Sequence, residues 1–375
     1  MAGGLAELEL VDSQGNLVEA REIDYNGQPT GYTADPQEII NYVEAHDNET
    51  LFDIIQLKAP VTATMADRVR MQNLGMSIVA LGQGIPFFHA GVDLLRSKSL
   101  DRNSYNSGDW FNKLDFNAHD NNWGVGLPPA PDNQSNWPIM APLLADSDLD
   151  PTPVDIQKAL FHFREVLRIR KSSLLFRLRT GEEIEERLRF HNTGPDQIPG
   201  LIVMTVDDPT GEVDHQVRRI AVLLNASKEP RSFQLPVSPG VPCSGFKLHP
   251  VQVSSVDLVV RASTFDAATC TFTVPGRTAS VFWERRPVDD QLYLLGREAD
   301  ALVASGVLNP GQGRSLTAKL ENARRHVRAG RTTPAANVLN AFIDEVRELQ
   351  ADGTLTAEQA EALIEAAEAA ISDLG

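Results

Sequence analysis

Hydrophobic positions follow two different periods in the first third of the chain. Compact apolar runs at residues 39–43 and 85–90 predict buried strands, whereas residues 66–81 carry apolar side chains at three- and four-residue steps and predict an amphipathic helix. Residues 1–35 are polar and rich in turns, which predicts an extended loop with short strands. Strand, helix and strand in that order indicate a right-handed parallel crossover unit.

The pattern changes after residue 150. An amphipathic helix that starts just after Pro153 and includes residues 156–170 is predicted, and short β-prone segments punctuated by Pro and Gly follow between residues 174 and 283. Their spacing predicts an antiparallel β-sandwich. A helix at 291–304 and three longer helices with apolar stripes, interrupted at Gly330 and Gly353, predict a small helical bundle. The expected fold class is therefore a multidomain chain with α/β, all-β and all-α parts.

Composition limits the classes of molecule that this protein is expected to bind and the compartment in which it is expected to work. The formal net charge of −17 argues against nucleic acid or an anionic membrane, which the mean field would repel, and is compatible with a neutral ligand such as a sugar. Two cysteines, Cys243 and Cys270, exclude a disulfide framework but leave one bridge open. No apolar run approaches the length of a membrane span, and the first residues lack the basic and apolar regions of a signal peptide, so these residues predict a cytosolic polypeptide.

Candidate chemistry begins at the end of the first predicted strand. His46, Asp47 and Asn48 follow the apolar run within the segment NYVEAHDNETLFD, residues 41–53. In barrels of alternating strands and helices, the carboxyl ends of the strands carry the side chains that meet a substrate. Asp and Asn are also common caps of a following helix, so substrate contact and helix capping both fit these residues.

A long polar stretch at residues 91–150 is the second candidate region, because loops of this length in compact domains are usually functional. Its Asn, Asp and Trp residues suit sugar binding, although Asn-rich turns with locally packed tryptophans fit equally well. Calcium is an open alternative at residues 115–122, where no twelve-residue calcium loop is present. A metal enzyme that uses His46, His89 and His119 is disfavoured, since their spacing matches no ligand motif.

Three segments together resemble a known family. The segment at residues 42–53, GIPFFHAG at 84–91 and LLRSKSLDRNSYNSGDWFN at 94–112 closely resemble the C-terminal part of pullulanases and limit dextrinases, within the α-amylase superfamily of glycoside hydrolases. The resemblance covers roughly residues 1–285, and it favours the substrate-site interpretation of the His-Asp-Asn triplet over the capping one.

The resemblance implies a domain organisation. Residues 39–45 and 85–90 would be the seventh and eighth strands of a (β/α)8 barrel, so residues 1–172 would hold the last two strand–helix units of a partial TIM barrel. Residues 173–286 would form the C-terminal β-sandwich domain. Beyond this resemblance, the apolar pattern predicts a separate helical domain over residues 287–375.

The resemblance also implies roles for individual residues. Asp47 would stabilise the transition state by hydrogen-bonding ring hydroxyls of the sugar and distorting it toward an oxocarbenium-like state, and His46 would donate to neighbouring hydroxyls. The other implied substrate-binding residues are polar side chains of the same region: Asn48, Asn103, Asn106 and Asp109. No cofactor is required by this chemistry.

The 375 residues do not hold all the groups that this hydrolysis needs. Retaining hydrolysis uses two carboxyl groups about 5 Å apart, and in this superfamily both lie on earlier strands. Only 45 residues precede His46, and none forms a strand ending in the family's Arg-x-Asp motif or its acid Glu. We therefore expect a C-terminal fragment of a starch- and pullulan-debranching enzyme that hydrolyses α-1,6-glucosidic bonds, inactive alone.

The implied ligand is an α-glucan such as pullulan or a limit dextrin, and the implied partner is the N-terminal part of the same enzyme. The alternative is a non-catalytic carbohydrate- or surface-interaction protein built from the sandwich and the bundle. An adjacent reading frame that encodes the missing strands would distinguish the two.

The last segment has a separate resemblance. AKLENA at 318–323, LNAFI at 339–343 and AEALI at 360–364 resemble the helical module called FIMAH, which is appended to some secreted carbohydrate-active enzymes. This module implies attachment or interaction more than chemistry. Because full-length relatives of such enzymes are often secreted, the sequence leaves the compartment open.

Overall fold

The computed structural model describes residues 1–236 and 245–375, and the chain divides into two compact units. The first unit comprises Met1–Asp207 and Ile220–Trp283, and the second comprises Asp208–Arg219 and Glu284–Gly375. Cys243, one of the two cysteines considered for a disulfide bridge, lies outside the described residues. The division into three domains after residues 172 and 286 stays a prediction.

The first forty residues form short extended segments, as predicted. Strands β1 (Glu9–Val11) and β2 (Leu17–Glu19) pair antiparallel, and so do β3 (Asp24–Tyr25) and β4 (Gln28–Pro29). The segment leads into β5 (Ile40–Asn41), which is the start of the predicted crossover unit.

The crossover unit consists of two short parallel strands with helices between them. β5 pairs in parallel with β6 (Ile85–Pro86), in the register Ile40 to Ile85. Helices α1 (Leu51–Lys58) and α2 (Met65–Ala80) lie between them in sequence, and α2 confirms the helix predicted over 66–81. The strands predicted over 39–43 and 85–90 are too long, since each has only two paired residues. The prediction that they are buried is also wrong, because among the described residues their sheet has two strands and the side chains of Ile40 and Ile85 are exposed.

The long polar stretch contains short helical elements rather than a plain loop. These are α3 (Asp109–Asn112), α4 (Ala130–Asn133) and α5 (Trp137–Leu144). Helix α6 (Pro153–Lys171) follows and confirms the helix predicted to start just after Pro153. Thr152 caps it, and the ring of Pro153 suits the first helical position. One apolar core joins this part of the chain, including buried residues Phe52, Val69, Met76, Leu100, Met140 and Ile156.

Short strands dominate the rest of the first unit. In chain order, the helices and strands of this region are α7 (Gly181–Arg187), β7 (Leu188–Phe190), β8 (Leu201–Asp207), β9 (Val217–Asn225), β10 (Arg231–Gln234), β11 (Lys247–Leu248), α8 (Pro250–Val253), β12 (Thr264–Asp266), β13 (Thr271–Val274) and β14 (Thr278–Arg285). One sheet has the order β11-β14-β9-β8-β7 and another β10-β13-β12.

One apolar cluster includes side chains of both these sheets, among them Val203, Leu223, Phe272 and Phe282. The β-prone segments predicted from the sequence are confirmed as strands. Their assembly as a β-sandwich, like the partial barrel, stays a prediction, and the described residues form mixed sheets and helices without a closed barrel.

The second unit is built mainly from four helices, as predicted. They are α9 (Val288–Ala304), α10 (Pro310–Arg328), α11 (Thr332–Ala351) and α12 (Ala357–Leu374). Gly330 and Gly353 have left-handed φ values of 66° and 81°, which ends one helix and allows the next to begin. The helices share one core that includes Leu316, Leu339, Phe342, Val346 and Leu363. None of the helices in the described ranges is long and apolar enough to span a membrane.

Candidate functional site

The candidate turn at His46, Asp47 and Asn48 lies outside helix α1. Thr50 is the N-cap of that helix, and its hydroxyl accepts a 3.1 Å hydrogen bond from the amide of Asp53. The helix-capping interpretation of the triplet is therefore wrong. The side chains of His46 and Asp47 are instead largely exposed, with His46 Nδ1 3.2 Å from Asp47 Oδ1.

A buried carboxylate closes the loop that contains the turn. Glu44 precedes the loop and accepts a hydrogen bond from the amide of Leu51, which follows it. The other oxygen of Glu44 lies 3.0 Å from His89 Nδ1, and His89 Nε2 lies 3.0 Å from the guanidinium of Arg96. Because arginine only donates, Nε2 of His89 accepts and its proton is on Nδ1, facing Glu44. His89 thus supports the loop.

A lysine lies beneath the turn. Lys98 is fully buried, and its ammonium donates hydrogen bonds to the carbonyls of His46 at 3.0 Å and Asn48 at 2.6 Å. Asn48 has a left-handed φ of 60°, a conformation that Asn tolerates better than most residues. Burial lowers the pKa of Lys98 from its ordinary value. The backbone of the turn is therefore held from the protein interior.

The segment that carries Lys98 is organised around Asp53. This buried carboxylate accepts hydrogen bonds from the hydroxyl of Ser97 at 2.6 Å and from the amides of Lys98 and Leu100 at 2.8 and 3.3 Å. Ser99 and Leu100 have left-handed φ values of 52° and 67°, so the segment needs such support. Burial raises the pKa of Asp53 to about 6, although these donors act to lower it.

An open cleft of about 420 Å³ lies beside the turn. Its lining residues are Asp47, Asn48, Arg102, Asn103 and Asp132. Within the cleft, the amide of Asn103 donates a 3.1 Å hydrogen bond to the carboxylate of Asp132. The structure thus brings together three residues predicted from the sequence, namely Asp47, Asn48 and Asn103.

A third buried carboxylate, that of Asp101, supports the backbone beside Asn103, which lines the cleft. Asp101 accepts 3.0 Å hydrogen bonds from the backbone amide of Asn103 and from the side-chain amide of Asn133. Its other oxygen accepts a 2.6 Å hydrogen bond from the hydroxyl of Ser107. The backbone next to Asn103 is therefore fixed by interactions that do not use the cleft-facing groups.

The other predicted site residues lie outside the cleft lining. Asn106 and Asp109 are exposed, the first in a short turn of helix and the second at the start of α3. His46 is beside the cleft, where its ring is exposed. The sequence interpretation missed Arg102 and Asp132. Arg102 could have been found as the neighbour of Asn103 in the quoted motif, whereas Asp132 reaches the cleft from 29 residues further along, which no local signal shows.

Two tryptophans of the polar stretch differ in burial and in what they contact. Trp123 is buried and packs edge-to-face on Phe52 with ring centroids 5.7 Å apart, as the local-packing alternative expects. Trp110 is exposed, and its indole N–H donates to the carbonyl of Val125 at 2.9 Å.

The loop considered for calcium is held by hydrogen bonds to one of its own carboxylates. The carboxylate of Asp115 accepts hydrogen bonds from the amides of Asn117, His119 and Asp120, which lower its pKa. In residues 1–236 and 245–375, no three or more His, Cys, Asp and Glu side chains are grouped in a way that could hold a metal ion.

Comparison with known proteins defines the class first. Residues 118–285 match the family model described as "Alpha-1,6-glucosidases, pullulanase-type, C-terminal", and residues 295–372 match the FIMAH domain. The chain is therefore homologous to the C-terminal region of pullulanase-type α-1,6-glucosidases and carries a FIMAH domain, which confirms both resemblances seen in the sequence.

Particular relatives are similar over most of the chain. A chloroplastic pullulanase 1 of Arabidopsis thaliana is 49% identical over 293 residues, which are 76% of this chain and 30% of the relative. A pullulanase of Klebsiella pneumoniae is 44% identical over 62% of this chain and 22% of its own length. The solved Klebsiella pneumoniae pullulanase complexed with maltotriose has a TM-score of 0.69 and 38% identity, and the match covers 76% of this chain and 27% of that one. The chain thus spans less than a third of the length of these relatives.

Proposed function

We propose that the region around Asp47 forms one wall of an α-glucan cleft in a pullulanase-type α-1,6-glucosidase. The observation that carries this proposal is that Asp47, Asn48 and Asn103 line one open cleft, in a chain similar to a pullulanase solved with maltotriose. Carboxylate and amide groups held on fixed backbone suit the hydroxyls of a pyranose, because several directional hydrogen bonds can form at once.

Each residue has a role in this proposal. Asp47 accepts hydrogen bonds from ring hydroxyls and favours the distorted, oxocarbenium-like sugar over the relaxed one, which lowers the barrier to bond cleavage. His46 donates to a neighbouring hydroxyl. The remaining contacts come from polar side chains of the same surface, with the last two at its rim: Asn48, Asn103, Asn106 and Asp109.

An uncovered apolar face supports the idea that this region is part of a larger barrel. On one side of the β5 and β6 pair, Ile40, Tyr42, Ile85 and Phe87 are 55%, 58%, 43% and 50% exposed. The rings of Tyr42 and Phe87 meet edge-to-face at 6.5 Å. Parallel sheets are normally covered on both faces, so a contiguous apolar patch here needs a partner. We infer that the earlier strands of a (β/α)8 barrel cover it, and that β5 and β6 are its last two strands.

The two catalytic carboxyl groups belong to those earlier strands. Retaining hydrolysis needs a nucleophilic carboxylate and an acid/base carboxyl about 5 Å apart, on opposite sides of the scissile bond. In this proposal Asp47 binds the sugar and acts neither as the nucleophile nor as the acid/base. The 375-residue polypeptide alone is therefore expected not to hydrolyse pullulan or limit dextrin, and activity returns when the preceding part of the enzyme supplies both groups.

A titration with maltotriose tests the binding part of the proposal. We expect saturable chemical-shift changes at the side-chain amides of Asn48 and Asn103, and their loss in Asp47→Ala. Asp196→Ala, an exposed aspartate away from the cleft, is the control and should titrate like the unmodified chain. A titration that moves none of these signals would refute the sugar-binding role.

The second candidate function is a non-catalytic carbohydrate- or surface-interaction protein. The match of residues 295–372 to FIMAH and the separate core of the four-helix unit favour it. The same titration distinguishes the two functions. Saturable shifts confined to the helical unit or to the strands of residues 188–283, with none at the cleft, would support this second candidate.

A further inference from the structure

We propose that Lys98 is a positioning residue for the sugar-binding turn, and that its ammonium sets the direction in which Asp47 and Asn48 project. This inference rests on the proposed function, since it assigns a role within the same site. It extends that function to a residue that does not line the cleft and is fully buried.

The geometry places the ammonium at the centre of the turn. Nζ of Lys98 donates to the carbonyl of His46 and to the carbonyl of Asn48, on either side of Asp47. Because both carbonyls converge on one nitrogen, the backbone between them is fixed at two points. The side chain of Asp47 is left 71% exposed, beside the cleft.

These two carbonyls account for the presence of a charged ammonium, that of Lys98, at a buried position. Burying an ammonium costs free energy, and a linear apolar side chain would fill the same space without that cost. The two carbonyl oxygens are the hydrogen-bond partners of this ammonium, and the carboxylates of Asp53 and Asp101 attract its charge from further away. Charge-assisted hydrogen bonds of this kind are stronger than neutral ones, which suits a group that must hold a backbone turn in place.

The backbone of Lys98 is itself fixed by hydrogen bonds at its amide and at its carbonyl. The amide of Lys98 donates to Asp53 at the start of α1, and the amide of Asp101 donates to the Lys98 carbonyl at 3.0 Å. Glu44 closes the other end of the turn through its bond with Leu51. A fixed lysine and a closed loop together restrict the turn, so that little motion remains to be lost when a sugar binds.

The test is Lys98→Met, which keeps a linear side chain and removes the ammonium. Relaxation of the backbone amides of Asp47 and Asn48 reports the motion of the turn. We expect order parameters near 0.85 in the unmodified chain and below about 0.6 in the variant. We also expect the dissociation constant for maltotriose, measured on the folded fraction, to rise at least about tenfold. Lys113→Met, at an exposed lysine, is the control and should change neither quantity.

The two readouts separate failure of this inference from failure of the proposed function. Unchanged order parameters in Lys98→Met would overturn the positioning role, even if the variant were less stable overall, because a purely structural lysine lowers global stability without freeing the turn. A rise in mobility with unaltered maltotriose affinity would overturn it as well. An unmodified chain that binds no maltotriose would refute the sugar function, while the relaxation data would still decide whether Lys98 holds the turn.

Discussion

The hydroxyl of Ser97 donates a 2.6 Å hydrogen bond to the buried carboxylate of Asp53. This contact joins the segment that carries Lys98 to the first turn of α1. Ser97→Ala leaves one oxygen of a buried carboxylate without its donor, so we expect the free energy of unfolding to fall by about 1–3 kcal/mol. Urea denaturation measures it. Ser254→Ala removes an exposed hydroxyl and should cost much less, and equal losses in the two variants would contradict the role given to Ser97.

The stability of the first unit should depend on the protonation of Asp53. Burial raises its pKa from 3.8 to about 6, so the folded state binds this proton more tightly than the unfolded state. The stabilising contribution of Asp53 is therefore fully present below pH 4 and is lost as the pH rises through 6. Relative to Asp53→Asn, the unmodified chain should lose about 2 kcal/mol between pH 4 and pH 7. Parallel pH profiles of the two proteins would show that this pKa is not raised.

His162 should show the opposite dependence. Burial lowers its pKa from 6.5 to about 4, and Nε2 of the ring lies 2.8 Å from the hydroxyl of Ser77 and 3.1 Å from the carbonyl of Asn73. The neutral ring favours the folded state above pH 6.5, and that contribution is lost as the pH falls toward 4. A titration of the imidazole by nuclear magnetic resonance should give a midpoint below 5. His119, exposed in a loop, offers a comparison in the same spectrum, and a midpoint for His162 near 6.5 would be inconsistent with its burial.

The uncovered face of the β5 and β6 pair should bind a hydrophobic dye. The double variant Tyr42→Thr with Phe87→Thr removes both rings of the patch, and we expect it to reduce the fluorescence of bound anilinonaphthalene sulfonate several-fold. Phe116→Thr is the matched control, because Phe116 is 77% exposed but is not part of the patch. If Phe116→Thr reduced the fluorescence as much as the double variant, the dye would be reporting exposed aromatic rings in general, and the prediction for this face would be wrong.

The helical unit should depend on its central aromatic residue. Phe342 is fully buried in the core shared by the four helices. Phe342→Ala leaves a cavity and should lower the stability of this unit by about 3–5 kcal/mol. Hydrogen exchange of α9 to α12 in the full chain measures the loss directly. Asn340→Ala, two residues away on the exposed face, should leave the exchange rates close to their original values.

Local patterns in the sequence predicted most elements well, and helix α2 shows why. Its apolar stripe and the capping box of Thr64 and Asp67 are both encoded within a few residues, so the predicted ends lie one residue from the observed ones. Strands β5 and β6 were predicted too long, because the paired length of a strand depends on neighbours that lie elsewhere in the chain.

The candidate site was only partly predictable for a similar reason. Asp47, Asn48 and Asn103 stand in motifs that resemble a known family, so the sequence identified them. Asp132 joins them through a contact across the cleft, and its surroundings in sequence show no sign of it. The positions of charged side chains in the interior, as for Lys98 beneath the turn, depend on packing that no periodicity encodes.

The most direct test of the account is pullulan hydrolysis by the purified chain, alone and mixed with the preceding barrel portion of a pullulanase that carries both catalytic carboxylates. We predict no hydrolysis by the chain alone, hydrolysis by the mixture, and a loss of at least about a hundredfold in kcat when the mixture contains Asp47→Ala, or roughly 3 kcal/mol of transition-state stabilisation. Hydrolysis by the chain alone, or a mixture whose activity is unchanged by Asp47→Ala, would contradict it.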